Sequence, residues 1–115
     1  MKREYKDYLF DIVDAIEKIE NFTEGLSYKD FESDDKTIFA VIRAFEIIGE
    51  AVKKIPKKIR DENKNIPWKL ISGMRDKLVH DYFGVDIKVV WKTIKEYLSI
   101  IPFGNILIPL LHIRF

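Results

Sequence analysis

A chain of 115 residues with 47% hydrophobic and 34% charged side chains has the length of one domain and the balance of a globular protein, which excludes a second large core and a disordered, strongly charged chain. Its 20 Lys and Arg against 19 Asp and Glu leave a formal net charge of +1, so no global field draws in nucleic acid or an anionic membrane, and any polyanion site is local. The chain has no cysteine, which excludes disulfides and thiolate metal sites; its charged start, MKREYKDYLF, and the lack of any run near the ~18 apolar residues of a membrane span predict a cytoplasmic protein with no membrane partner.

Tyr5, Leu9, Ile12, Val13, Ile16, Ile19 and Phe22 recur at steps of three and four, the signature of an amphipathic helix that Gly25 ends. Ser27 with Asp30 opens a short helical turn through Phe31. Ser33 or Asp34 then offers an N-cap for a second strong stripe, Ile38, Val41, Ile42, Phe45, Ile48 and Val52, which closes near Ile55 because Pro56 disfavours helix in the residue before it. The polar segment PKKIRDENKN has room for one or two helical turns. Pro67 suits the first position of another helix, with Trp68, Ile71, Arg75, Leu78 and Tyr82 on one stripe, Leu70, Met74 and Val79 flanking it, and Gly84 as its end. Asp86 can cap the last helix, whose Ile87, Val90, Trp91, Ile94, Tyr97, Leu98 and Ile101 show the cleanest helical period in the chain. Short connections between these segments predict an all-α fold, an antiparallel bundle of four to five helices over residues 1–102. The remainder, residues 103–115, FGNILIPLLHIRF, is an apolar tail that either covers a groove of its own subunit or meets a partner chain.

Chemistry concentrates in RDKLVHDY, Arg75 to Tyr82. Asp76 and His80 stand four apart, so on a helix the carboxylate can hydrogen-bond the imidazole and orient it as a general base or acid; a plain surface pair is the alternative. Arg75 and Tyr82 are seven apart and share another face. A guanidinium on an otherwise apolar stripe requires a partner, either a carboxylate such as Glu46 or Glu50 or a phosphate that its fork matches. Arg75 and His80 are separated by roughly 140° of helical rotation; either the segment is ordinary surface, or a two-fold axis along it gathers Arg75, His80 and their symmetry mates around one cleft. Arg43, Glu46 and Glu50 can also form their own ladder along one helix. Lys53, Lys54, Lys57, Lys58, Arg60, Lys64 and Lys69, opposed by Asp61 and Glu62, make a basic stretch that either guides an RNA backbone or is a solvated loop. The two histidines are far apart and no carboxylates cluster at ligand spacing, so no metal site is expected.

Arg75, Asp76, His80 and Tyr82 match R-x4-H-x-Y with a polar residue after the arginine. The upstream block VIRAFEIIGEAVKKIP, from Val41 to Pro56, and PWKLISGMRDKLVHDYFGVD, from Pro67 to Asp86, complete the pattern. Over roughly residues 5 to 101 the chain resembles the HepT toxins of the HEPN superfamily of small helical ribonucleases; the apolar tail departs from that pattern. The resemblance implies a HEPN-like homodimer and a metal-independent endoribonuclease without cofactor. In it His80 acts as acid or base, Arg75 binds the phosphate, and Asp76 is placed to orient His80; Glu46 is the candidate to position Arg75, the alternative being its ladder with Arg43 and Glu50. It also implies a toxin–antitoxin pair in which a MntA-like nucleotidyltransferase adenylylates the motif tyrosine, here Tyr82. For Tyr82 the alternative is an amphipathic core or interface residue. For the whole chain the alternative is a non-catalytic HEPN-like adaptor that binds a nucleotidyltransferase or a nucleotide.

Overall fold

The computed structural model describes residues 2–64, 66, 68, 69, 71–73 and 86–98. They form an all-α fold, with no strand among the described residues. Helix α1 spans Tyr5–Thr23. Its first turn carries Asp7, whose carboxylate accepts the backbone N–H of Glu4 at 2.9 Å and sits favourably at the positive end of the helix dipole. Gly25 follows with φ +75°, a left-handed conformation that a Cβ would strain, and the chain turns as the Leu26 N–H reaches the Thr23 carbonyl at 3.1 Å.

Helix α2, Tyr28–Glu32, is one turn long and closed by reciprocal bonds: the Asp30 N–H donates to Ser27 Oγ and the Ser27 N–H to Asp30 Oδ2, both at 3.1 Å. Of the two candidate caps for the next helix, Asp34 is the one used. It accepts the Thr37 N–H at 3.1 Å and the Thr37 hydroxyl at 2.6 Å, and α3 runs Asp35–Lys54. Ile55 is extended before Pro56, as the steric demand of proline requires. Helix α4, Lys57–Glu62, has no fully buried residue, packs a partly buried Ile59 against the core and is tied by Lys57 Nζ to Asp61 Oδ2 at 2.9 Å.

After α4 the chain re-enters the core. Ile66, Trp68 and Ile71 are buried, and Trp68, Lys69 and residues 71–73 are helical. The Trp68 indole N–H donates to two carbonyls behind it, Arg60 at 3.2 Å and Asn63 at 3.1 Å, so the ring is fixed on both its apolar and its polar side. Helix α5, Ile87–Thr93, starts from Asp86, whose carboxylate accepts the Lys88 N–H at 3.1 Å.

The core lies between α1 and α3, the most extensively packed pair; α2 touches both α3 and α5, and the continuation of α5 leans on α1. Leu9, Ile12, Ile16 and Ile19 meet Ile38, Val41, Phe45, Ile48 and Val52, all buried. Phe31 is fully buried with its ring 5.1 Å from that of Trp91. Buried Thr23 and Thr93 return their hydroxyls to the carbonyls of Ile19 at 2.8 Å and Val89 at 2.7 Å, so neither leaves a polar group unpaired.

Two expectations are corrected. Phe22, assigned to the buried stripe, is 43% exposed; the line Leu9, Ile12, Ile16, Ile19 continues to Thr23 at a step of four, and Phe22 lies about 100° to one side of it. The last helix is not regular throughout: beyond Thr93 it widens into a π-helix over Ile94–Leu98. The expected apolar stripe is kept across that change at Val90 and Ile94, both buried.

Candidate functional site

Arg75, Asp76, His80 and Tyr82 lie outside the described residues, as do Gly84 and the tail 103–115. What the structure describes is the ground next to them in sequence and the remaining candidate, Glu46. Glu46 stands on α3, half-buried, with Oε2 3.2 Å from Arg43 Nη1; Glu50 approaches the same guanidinium at 3.9 Å. The ladder along α3 is thus formed. Both carboxylates keep partial exposure, so the pairs are weak surface contacts and not a buried ionic network.

The segment leading into the motif is held firmly. Trp68 and Ile71 are buried, the indole is bonded to the α4 turn, and Ser72, three positions before Arg75 in sequence, donates its hydroxyl to the Lys69 carbonyl at 3.2 Å. Beside it opens a groove of about 560 Å³ lined by Lys53, Arg60, Asp61, Lys64, Lys69 and Ser72 over Val52, Ile66 and Trp68. The basic stretch of the sequence is therefore divided by the fold. Lys54 lines a different groove, between α1 and α3, and Lys57 is engaged by Asp61. The Lys57 hydrogen bond, with the Lys57, Lys64 and Arg60 charges, holds the Asp61 carboxyl below its usual range despite partial desolvation. The Nε of Arg60 is buried without a hydrogen-bond partner among the described residues. In the sequence these cations form one run. The convergence of four of them depends on α4 turning the chain back on itself, and the signal for that turn is Pro56 with the buried Ile66 and Trp68.

The second groove, about 600 Å³, follows the α1–α3 seam. Most of its charges are paired: Arg3 with Asp11 and Lys18 with Asp14, each at 2.8 Å, and Arg43 with Glu50 at 3.9 Å. Among the described residues no group of three or more His, Cys, Asp or Glu is placed to hold a metal ion, and no helix is long and apolar enough to cross a membrane.

A family model described as "Ribonuclease HepT-like" matches residues 12–103, an interval that contains Glu46, Arg75, Asp76, His80 and Tyr82. This chain belongs to the HepT-like ribonuclease family. A protein of Thermococcus cleftensis named "Probable ribonuclease HepT" is 58% identical over 96 residues, 84% of this chain and 87% of that protein. Two proteins of Methanocaldococcus jannaschii, "Putative RNase MJ0125" and "Putative RNase MJ1216", are 51% and 50% identical over 94 residues, each covering 82% of this chain and 81% and 78% of their own lengths. No solved structure matches the chain. As a HepT-like ribonuclease the protein is an endoribonuclease.

Proposed function

We propose that this HepT-like ribonuclease is the toxin of a toxin–antitoxin pair, cleaving RNA without a metal ion at a cleft formed by two copies of residues 1–102, with Arg75 and His80 as its catalytic residues. The observation that carries this reading is the R-x4-H-x-Y motif at Arg75, His80 and Tyr82, inside the interval matched by the family model. An adaptor without cleavage activity has no use for an arginine and a histidine so placed. His80 takes the proton from a ribose 2′-hydroxyl, the 2′-oxygen bonds to the adjacent phosphorus, and the bond from phosphorus to the 5′-oxygen breaks as that oxygen gains a proton. The products are a 2′,3′-cyclic phosphate and a 5′-hydroxyl. Arg75 binds the phosphate and stabilises the charge that builds on it. Asp76 orients His80, and Glu46 supports Arg75 to the extent that Arg43 releases it.

Control rests on Tyr82, two residues from His80. Adenylylation of its hydroxyl by a MntA-like nucleotidyltransferase adds bulk and negative charge where an RNA phosphate must sit. The test is cleavage of single-stranded RNA in the presence of a chelator. His80→Ala should lose about 10²–10⁴-fold of the rate and Arg75→Ala about 10²-fold or more, with the melting curve unchanged. Intact RNA with the wild-type protein, or equal cutting by His80→Ala, overturns the catalytic reading in favour of the adaptor. Co-expression with the nucleotidyltransferase should add mass in AMP steps that Tyr82→Phe abolishes; retention of the added mass overturns that assignment.

A further inference from the structure

The groove beside Trp68 gathers positive charge from α3, α4 and the segment after it. Among the described residues Arg60, Lys64 and Lys69, beside Lys53, line it against one carboxylate, Asp61, which Lys57 already engages. In a chain whose net charge is only +1, this is a local positive field. Arg60 adds an independent sign: its Nε is buried and unpartnered among the described residues, an orphaned donor that an anionic acceptor would satisfy. Ser72, on the wall of the groove, carries a hydroxyl that can donate to an anion in place of the Lys69 carbonyl.

The chemistry of the lining selects the ligand class. A base would require an exposed aromatic face, and Trp68, the aromatic among the described lining residues, is buried with its N–H committed to two carbonyls, so it offers no face for stacking. Among the described lining residues a protein partner would find no exposed aromatic anchor and a rim dominated by lysine, which interfaces tend to avoid. Phosphate oxygens, bound by cations on long arms regardless of base, fit what is there.

We propose that this groove is a phosphate subsite for the RNA strand flanking the cleaved bond, holding the backbone by charge without reading its bases. The inference rests on the nuclease reading for its ligand, and it is tested separately from cleavage. A 2′-deoxy oligonucleotide has no attacking hydroxyl, so its binding reports the groove alone. Lys64→Ala/Lys69→Ala should weaken a fluorescent 12-mer deoxy strand about tenfold near physiological salt and flatten the dependence of log K on log salt by about 1.4, or about 0.7 per lost contact. The same loss should appear for strands of different base composition, and Lys36→Ala, in the first turn of α3, should change neither quantity. On RNA, the double variant should raise KM with kcat within about twofold. Unchanged affinity and slope, a loss confined to one base composition, or weakened binding of the nucleotidyltransferase with the oligonucleotide unaffected each overturn the subsite. A double variant that still binds normally while wild-type protein cleaves RNA removes this inference alone; a subsite that behaves as expected in a protein that never cleaves removes only the nuclease reading.

Discussion

Two grooves of nearly equal size, one along the α1–α3 seam and one beside Trp68, differ in what their charges do. In the seam, four cations face three carboxylates, and the pairs Arg3–Asp11 and Lys18–Asp14 close at 2.8 Å. Beside Trp68, four cations face one carboxylate that another lysine has claimed. Volume does not distinguish the two; the bookkeeping of charge does. Most of the seam's charges are paired within it, whereas the second groove keeps a local excess of positive charge at Arg60, Lys64 and Lys69.

The largest expected effect separates the seam as structure from the seam as site. Phe45 is 1% exposed on the inner side of α3, and Phe45→Ala should cost about 3–5 kcal/mol in chemical denaturation, while the folded fraction binds the deoxy strand as wild type does. Charge reversal sharpens the contrast: Lys64→Glu should weaken the strand about tenfold, and Lys18→Glu, in the seam, less than about twofold. Equal losses would erase the distinction between the grooves. A smaller effect concerns the seam pairs, which are exposed: Lys18→Ala should move stability by less than about 1 kcal/mol. The smallest is a matter of pH. Hydrogen bonds from Thr37 hold the Asp34 carboxyl below its usual range, so its folded value is depressed. Its contribution is fully present above the unfolded value and is lost as pH falls through the folded one. Asp34→Asn should remove that part of the acid dependence and leave strand binding near neutral pH unchanged.

The elements were legible in the sequence wherever one chemical device acts locally. Gly25 at positive φ, Ser27 with Asp30, Asp34 and Asp86 as caps, and Pro56 after α3 each act within a few residues, and each does so in the structure. Of the site, Arg75, Asp76, His80 and Tyr82 were legible as a motif, and that is where they remain. Packing was harder to read. Phe22 was misplaced because a list of large apolar residues does not see that Thr23 continues the buried line. Ala15, Ala44 and Ala51, all buried between α1 and α3, escaped notice because small residues carry little weight in a hydrophobic stripe. The π-helical turn at Ile94–Leu98 adds a residue to a helical turn, a change too small for an apolar period to reveal. The convergence of Lys53, Arg60, Lys64 and Lys69 depends on how α4 folds back, which no spacing records.

Trp68 has an optical consequence. The chain has two tryptophans, and they occupy opposite settings: Trp68 is buried, bonded through its N–H and part of the groove wall, whereas Trp91 is partly exposed with the Lys95 ammonium 4.5 Å above its ring. Replacing Trp91 with phenylalanine would leave a single emitter in the groove wall, so a strand held at the proposed subsite should shift its emission and report occupancy without a label.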